Sequence, residues 1–230
     1  NTALGYASLT TDVRGSNATA IGYGALQNQT YSSATNSNNT ALGFKAGRDL
    51  TNGTGNTLLG ATSGDAITTG SNNTAVGLDA LTATTTGYNN VAIGTNVLQA
   101  NTTASDNTAV GLNAMLSNVT GGSNVAIGRQ SLNANTSACC NSALGYQSLY
   151  NNTTGINNVA LGFQAGHAHT TGNSHTMVGF GAGQATTTDI GITAIGREAL
   201  YSNTTGSGGS YNIAIGYRAM YTNTTGYYNT

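Results

Sequence analysis

Few side chains in this sequence could do chemistry, and the most closely spaced are three histidines and two cysteines. His167, His169 and His175 lie close together, and imidazole is a common metal ligand. Histidines on a surface turn are the simpler interpretation, so we treat the three as weak candidate metal ligands. Cys139 and Cys140 are adjacent and could stay free or form a disulfide with another chain in an oxidising setting. We predict no bound cofactor.

The charged residues are too few and too scattered to suggest catalysis. The 230 residues contain six Lys or Arg and seven Asp or Glu, with a net charge of −1. No paired carboxylates, Ser/His/Asp set or Cys/His set recurs along the chain, so we predict that the protein is not an enzyme. The absence of a basic tract argues against nucleic acid as a partner. No run of about 18 apolar residues is present, so we expect no membrane insertion.

A short repeat must position all of these residues. One copy of its most regular five residues is Asn73-Thr74-Ala75-Val76-Gly77, and we call the last residue of each copy the marker glycine. Ten of the twelve intervals between marker glycines are 17 residues, which is typical of a solenoid. The longer intervals predict extra loop residues between Gly22 and Gly43 and between Gly196 and Gly216. The thirteen marker glycines are Gly5, Gly22, Gly43, Gly60, Gly77, Gly94, Gly111, Gly128, Gly145, Gly162, Gly179, Gly196 and Gly216.

Each position of the repeat holds a restricted set of residues, and we number positions from the marker glycine. Position −1 is always Val, Ile or Leu, position −2 is nearly always Ala, and position −4 is usually Asn. This alternation predicts a short strand with aliphatic residues on one face and small residues on the other. We expect equivalent residues to stack, with the asparagines hydrogen-bonding between coils. The structural ladder is predicted at Asn73, Ala75, Val76, Gly77, Asn90, Ile93, Gly94, Asn107, Val110, Gly111, Asn124, Ile127 and Gly128.

The rest of the repeat predicts a corner and a return. Leu or Met at position +4 suggests a second, shorter strand or strand edge, and glycine near position +10 suggests a return turn at positive φ. Four copies have Gly at position +4 instead (Gly47, Gly64, Gly166 and Gly183), and all three phenylalanines follow the marker in these copies. We predict that Phe44, Phe163 and Phe180 fill the volume that leucine leaves; a local bend or ligand groove is the alternative.

The fold prediction is therefore an all-β parallel β-solenoid of about thirteen 17-residue coils, spanning residues 1–230 as one repetitive segment. A narrow coil has room only for the small face inside, so the aliphatic face should point outward. A monomer does not tolerate a long exposed apolar stripe. We therefore expect an obligate oligomer whose partner is the same chain. Because the sequence begins and ends in mid-repeat, we also expect it to be a segment of a longer fibre.

The phrase Asn-Val-Ala-Ile-Gly at 90–94 and 124–128 resembles the head repeat of trimeric autotransporter adhesins. The wider unit, Ala-Ile-Gly-x-x-Ala-Leu followed by Asn-Thr-Thr-Gly-x-Asn-Asn, also resembles repeats of phage and prophage tail fibres. The resemblance implies a left-handed β-roll, three wound chains, an extracellular place on a cell or virion surface, and adhesion to a host or matrix. In such a trimer the three histidines could meet on the axis and bind metal, as phage-fibre histidine pairs do. The 17-residue period is longer than in the adhesin heads.

Three functional hypotheses remain. The first is a structural and adhesive fibre, as an adhesin head or a tail-fibre segment, whose partner is a host surface glycan or protein. For this hypothesis, six tyrosines near the end could stack on sugars: Tyr201, Tyr211, Tyr217, Tyr221, Tyr227 and Tyr228. The second is an ice-binding solenoid with threonine ladders, which is weakened because Thr at position −3 is followed by an aliphatic residue at −1. An enzyme carried on a solenoid is the third.

Overall fold

The computed structural model describes residues 1–202, 211–223 and 226–230. It is an all-β parallel β-solenoid of about twelve turns, with successive turns about 17 residues apart. None of the described residues forms a helix, so none forms a helix that could span a membrane. Most of the extra residues predicted between Gly196 and Gly216 lie outside the described residues. The chain divides into two compact units, residues 1–113 and 114–230.

Strands in the first unit recur once per coil and pair in parallel with the next. Seven three-residue strands run in the order β1, β3, β5, β6, β7, β8 and β9, and the short strands β2 and β4 form a separate pair. Their bounds are Thr2–Leu4 (β1), Gly15–Ser16 (β2), Thr19–Ile21 (β3), Thr35–Asn36 (β4), Thr40–Leu42 (β5), Thr57–Leu59 (β6), Thr74–Val76 (β7), Val91–Ile93 (β8) and Thr108–Val110 (β9).

The second unit has the same organisation. Its strands are Val125–Ile127 (β10), Ser142–Leu144 (β11), Val159–Leu161 (β12), Thr176–Val178 (β13), Thr193–Ile195 (β14) and Ile213–Ile215 (β15), paired in that order. The pairing places alanine on alanine, as in Ala143 on Ala160. Because the register repeats, each position of the sequence repeat becomes a column of stacked side chains.

Marker glycines let neighbouring coils approach closely. Gly77 has φ +134°, and a Cβ built there would lie 2.7 Å from the carbonyl carbon of Gly94 in the next coil. Glycine is therefore required both for its backbone conformation and for its lack of a side chain.

The predicted second strand is absent from the described coils, and that prediction was wrong. After the marker the chain turns instead, with Asp79 at φ +55° and Leu81 at φ +54°. Left-handed residues at positions +2 and +4 bend the backbone too often for an extended run. The leucine at position +4 nevertheless points inward, since Leu81 and Leu98 are fully buried.

The return glycine also acts differently from the prediction, because in the described coils it does not take a left-handed φ. Gly70 is an example: a Cβ there would collide with the carbonyl oxygen of Gly87 in the next coil. The residue just before the asparagine at position −4 takes the left-handed conformation instead, as Asn72 does with φ +58°. Glycine at +10 therefore supplies space, and a neighbouring polar residue supplies the turn.

Asparagines at position −4 form the predicted hydrogen-bonded ladder inside each unit. The Nδ2 of Asn90 donates to the Ala104 carbonyl of its own coil at 2.9 Å and to Oδ1 of Asn73 at 3.1 Å. The backbone N–H of Asn90 also donates to the same Asn73 oxygen at 3.0 Å. Each amide thus closes its own coil and joins it to the preceding one. This satisfies polar groups that are completely buried.

The long interval between Gly22 and Gly43 carries its own small core. Strand β4 pairs with β2, with Gly15 opposite Thr35, and Tyr31 turns into the coil. The Tyr31 hydroxyl donates to the carbonyl of Gly53 at 2.8 Å, and Nδ2 of Asn39 donates to that hydroxyl at 3.2 Å. The extra residues are therefore tied into the interior by a tyrosine.

Candidate functional site: an exposed apolar face

One face of the strands points away from the coil interior, and its apolar side chains are exposed. Apart from Ala3 in the first coil, the alanines at position −2 are buried, whereas the residues at −1 and −3 are half-buried or exposed, which agrees with the predicted orientation. Ile93 is 39% exposed, Leu144 is 44% exposed and Val159 is 42% exposed. We call the columns at −3, −1 and +1 the apolar face. It is the most extensive set of exposed large hydrophobic side chains among the described residues.

The second unit has a groove in this face. Its volume is about 280 Å³, and it lies where Ser142 replaces a bulkier residue at position −3. The side chains of strands β10, β11 and β12 form its walls, and alanines form its floor. The lining residues are Val125, Ile127, Ser142, Ala143, Leu144, Val159, Ala160 and Leu161. An apolar side chain from outside could be buried here without meeting a charged group of the lining.

Aromatic rings border the face at position +1. In the second unit Tyr146, Phe163 and Phe180 stack with ring centroids 5.1 and 5.0 Å apart. The Arg129 guanidinium lies 5.9 Å from the centroid of Tyr146, and that of Arg197 lies 5.5 Å from the centroid of Phe180. These cations stand against ring faces, a favourable arrangement for a π system.

A similar stack begins the first unit. Tyr6, Tyr23 and Phe44 stack at 5.4 and 5.5 Å, and the Lys45 ammonium lies 5.0 Å from the centroid of Phe44. Since the phenylalanine rings of both stacks are about half exposed, they do not fill the volume left by leucine. That prediction was wrong.

The volume is filled instead by the two residues that replace alanine at position −2. A Cβ at Gly47 would lie 2.6 Å from Leu58, and one at Gly64 would lie 2.8 Å from Leu58. Met177 stands in the same relation to Gly166 and Gly183, at 2.6 Å from each. A large residue at −2 therefore occupies the space of two missing leucines, one on each side. The sequence carried this signal, because both exceptions to alanine lie between paired exceptions to leucine.

Tyrosines near the end of the chain stack on one another. Tyr201 stacks on Tyr221 at 5.1 Å, and Tyr211 stacks on Tyr228 at 5.2 Å. The guanidinium of Arg218 lies 5.3 Å from the centroid of Tyr217. One face of each stacked ring is thus already covered, which reduces the area on which a sugar could stack. Sugar stacking stays a prediction.

An ion pair lies beside this aromatic cluster. Arg218 Nε donates to Glu198 Oε2 at 2.6 Å, and Arg197 Nε donates to Glu198 Oε1 at 3.3 Å. The hydrogen bond from Arg218 lowers the pKa of the Glu198 carboxyl. The two arginines are therefore held against the rings by one carboxylate.

Two of the three histidines are buried inside the solenoid, so their assignment to a surface turn was wrong. His175 takes the −4 position, where its Nε2 contacts the Asp189 carbonyl at 2.9 Å and its Nδ1 accepts the N–H of Ile192 at 3.0 Å. His169 Nε2 contacts the Gly172 carbonyl at 2.8 Å. Burial lowers the pKa of His169 to about 4 and, together with the neighbouring His169, that of His175 to about 3.

His169 belongs to a second asparagine column that the sequence analysis missed. At position +7, Asn135 Nδ2 donates to Asn118 Oδ1 at 2.7 Å and to the Ala138 carbonyl at 3.1 Å. The signal was the recurring first residue of Asn-Thr-Thr-Gly, such as Asn152. Its buried position shows that it also closes the coil.

His167 is separate from this pair, because it is half-buried and stacks on Tyr150 at 5.2 Å. His169 and His175 meet edge to face at 4.7 Å. Among the described residues no group of three or more His, Cys, Asp or Glu side chains is arranged to hold a metal ion. The cysteines are free, with Cys140 exposed and Cys139 half-buried.

Comparisons of the chain with family models, curated proteins and solved structures give no match.

Proposed function

We propose that this chain is a non-enzymatic fibre segment that associates with copies of itself through the apolar face. The exposed columns at −3 and −1 are the observation that carries the proposal. Ile93, Leu144 and Val159 each keep about two-fifths of their surface accessible in the single chain. Burying a fully exposed aliphatic side chain contributes roughly 1.5–3 kcal/mol, so covering the remaining two-fifths contributes roughly 0.6–1.2 kcal/mol per side chain. Repeated in every coil, this gain is large enough to drive association.

The same argument favours a parallel assembly in which equivalent coils meet. The aliphatic column at −1 is continuous within each unit, whereas position −3 is mostly threonine, so a partner that lies alongside a unit can contact each of its coils through position −1. Three wound chains satisfy this requirement and agree with the resemblance of Asn-Val-Ala-Ile-Gly to adhesin heads. The proposed biological role is structural and adhesive, on a cell surface and extracellular, with a host glycan or protein as partner. A phage tail-fibre segment is the alternative setting for the same assembly.

Light scattering with far-UV circular dichroism tests the assembly. The expected result is a β-rich particle of three times 23.0 kDa. Leu144→Gln with Leu161→Gln places two amides on the face and should reduce the mass to that of one chain while the β signal persists. Ile156→Gln is the matched control, because Ile156 is similarly exposed but lies on the return segment. A well-folded wild-type monomer would refute the proposal.

Adhesion is tested separately on assemblies of known mass. We expect wild-type assemblies to bind host-cell surfaces or an array of surface glycans, and the Leu144→Gln, Leu161→Gln double variant to bind much more weakly through lost multivalency. Binding that is equally strong for the single-chain variant would separate adhesion from assembly. If the wild-type protein assembles but binds none of these surfaces, the structural role stands and the adhesive role is refuted.

A second candidate, binding to an ice or mineral surface, is favoured by one observation. Position +9 presents a column of exposed hydroxyls in each unit, at Thr69, Thr86 and Thr103 in the first and at Thr154, Thr171 and Thr188 in the second. The neighbouring column at +11 is mixed, so the hydroxyls form one row rather than a two-dimensional array. Thermal hysteresis that is abolished by Thr86→Tyr and Thr103→Tyr would support this function.

A further inference from the structure

The two cysteines lie side by side on a return turn of the second unit. Their Sγ atoms are 2.9 Å apart, and the Cys140 thiol donates toward the sulfur of Cys139. Both belong to positions +11 and +12, outside the columns that make up the apolar face. They are the only two cysteines in the chain.

Backbone hydrogen bonds hold this turn against the coils on either side. The N–H of Cys140 donates to the Gly122 carbonyl at 3.4 Å, and the N–H of Asn157 donates to the Cys139 carbonyl at 3.4 Å. The next residue, Asn141, is buried and donates through Nδ2 to the Gly155 carbonyl at 2.8 Å. Backbone hydrogen bonds therefore attach the turn to the coils on both sides.

Proximity favours reaction of the thiols with each other over reaction with another chain. Two groups held next to each other react with an effective concentration far above any concentration of protein in solution. The sulfurs are already nearer than two non-bonded sulfur atoms normally come. Cys140 is exposed, so a small disulfide in solution can reach the pair.

We propose that Cys139 and Cys140 are a redox pair that closes into a disulfide within one chain when it meets a small-molecule disulfide such as oxidised glutathione. The thiolate of one cysteine attacks a glutathione sulfur, the glutathione disulfide breaks, and a mixed disulfide forms as the first glutathione leaves. The second cysteine thiolate attacks the protein sulfur of that mixed disulfide and releases the second glutathione. Two electrons and the two thiol protons pass to glutathione.

Formation of the Cys139–Cys140 disulfide changes the chemistry of the return turn. It removes two thiols from the return turn and leaves none that could cross-link one chain to another. It also constrains the turn that hydrogen-bonds to Gly122 and Asn157. This inference concerns the single chain and holds whether or not the chain assembles as proposed above.

Intact-mass measurement and thiol counting after treatment with oxidised glutathione test the proposal. The expected wild-type product has lost two hydrogen atoms, has no thiol that reacts with a thiol reagent, carries no glutathione, and runs as a single chain on a denaturing non-reducing gel. Dithiothreitol should restore both thiols. A disulfide-linked dimer, a stable glutathione adduct on the wild type, or two persistent free thiols would overturn it.

Single variants show whether each cysteine needs the other. Cys139→Ser and Cys140→Ser should each stop at the mixed disulfide and gain one glutathione, since no second thiol can release it. Circular dichroism controls for folding of the variants. If either variant fails to fold, the wild-type mass and gel still decide between closure within one chain, cross-linking of two chains and no reaction.

Discussion

At the marker position two properties of glycine are used, and the chain allows them to be separated. Gly77 combines φ +134° with close contact to the backbone of Gly94. Gly216, in the last coil of this sequence, has a similar φ of +127°, and no residue of the sequence lies within 4 Å of a Cβ built there. The two positions therefore differ in space and not in conformation.

We predict that Gly77→Ala destabilises its coil by more than about 3 kcal/mol, since conformational strain and a backbone collision add. Gly216→Ala should cost only the strain, roughly 1–3 kcal/mol. Amide hydrogen exchange measured coil by coil checks both, because repeat arrays open locally. Equal costs at the two positions would show that contact between coils is unimportant.

The buried histidines predict a loss of stability in acid. Below pH 6.5 the unfolded chain takes up a proton at His169 and His175, whereas the folded chain does so only near pH 4 and pH 3. Their contribution is therefore fully present above pH 6.5 and is lost as the pH falls toward these values. For His169 alone the loss corresponds to roughly 3 kcal/mol.

His169→Asn with His175→Asn should flatten the stability profile between pH 6.5 and pH 4, because asparagine occupies both columns elsewhere and does not titrate. Urea unfolding at a series of pH values measures it. His167→Asn, at the half-buried histidine, is the control and should keep most of the acid dependence. An unchanged profile in the double variant would mean that other groups cause the acid sensitivity.

At the scale of the coil, position −2 holds a large residue only where the neighbouring leucines at +4 are missing. Leu58 is fully buried and lies between Gly47 and Gly64, and Met177 is fully buried and lies between Gly166 and Gly183. Each has a glycine on both sides, so its side chain occupies the space that leucine fills in other coils.

Leu58→Ala should therefore open a cavity and destabilise the first unit by about 2–5 kcal/mol. Met177→Leu conserves volume and should cost less than about 1.5 kcal/mol. Denaturant unfolding followed by hydrogen exchange in the flanking coils measures both changes. If Leu58→Ala is as mild as Met177→Leu, the pocket between the glycines collapses without cost.

Sequence alone predicted those parts of the coil that depend on strict repetition. The period, the short strand, the outward aliphatics and the asparagine ladder at Asn73 and Asn90 all follow from columns with one kind of residue. The turns that stand in place of the expected second strand were not predicted, because Leu81 takes a left-handed backbone conformation, which leucine rarely adopts. The packing of Leu58 was missed because it depends on residues in adjacent coils, which are far apart within any one copy of the repeat.

At the scale of the whole molecule, the sparse charge predicts how association responds to salt. Only thirteen of the 230 residues carry formal charge, and the face at −3 and −1 carries none. Raising the ionic strength from about 0.05 M to about 1 M screens charges but does not weaken apolar burial. We therefore predict that the assembly persists in concentrated sodium chloride and strengthens in sulfate, as measured by light scattering on a dilution series. Dissociation by salt would point to the few arginines instead.

The paired exceptions at Leu58 and Met177 also bear on how a repetitive chain avoids misfolding. Thirteen coils of nearly equal sequence could stack out of order, because a coil that skips one copy would keep most of its contacts. Skipping the copy that holds Gly47 would bring Leu58 against Leu26, where two large side chains would compete for one space. The coils that hold Leu58 and Met177 thus fit only their correct neighbours. Stacking errors should concentrate in stretches such as 73–113, where every coil has alanine at −2 and no such mismatch would arise.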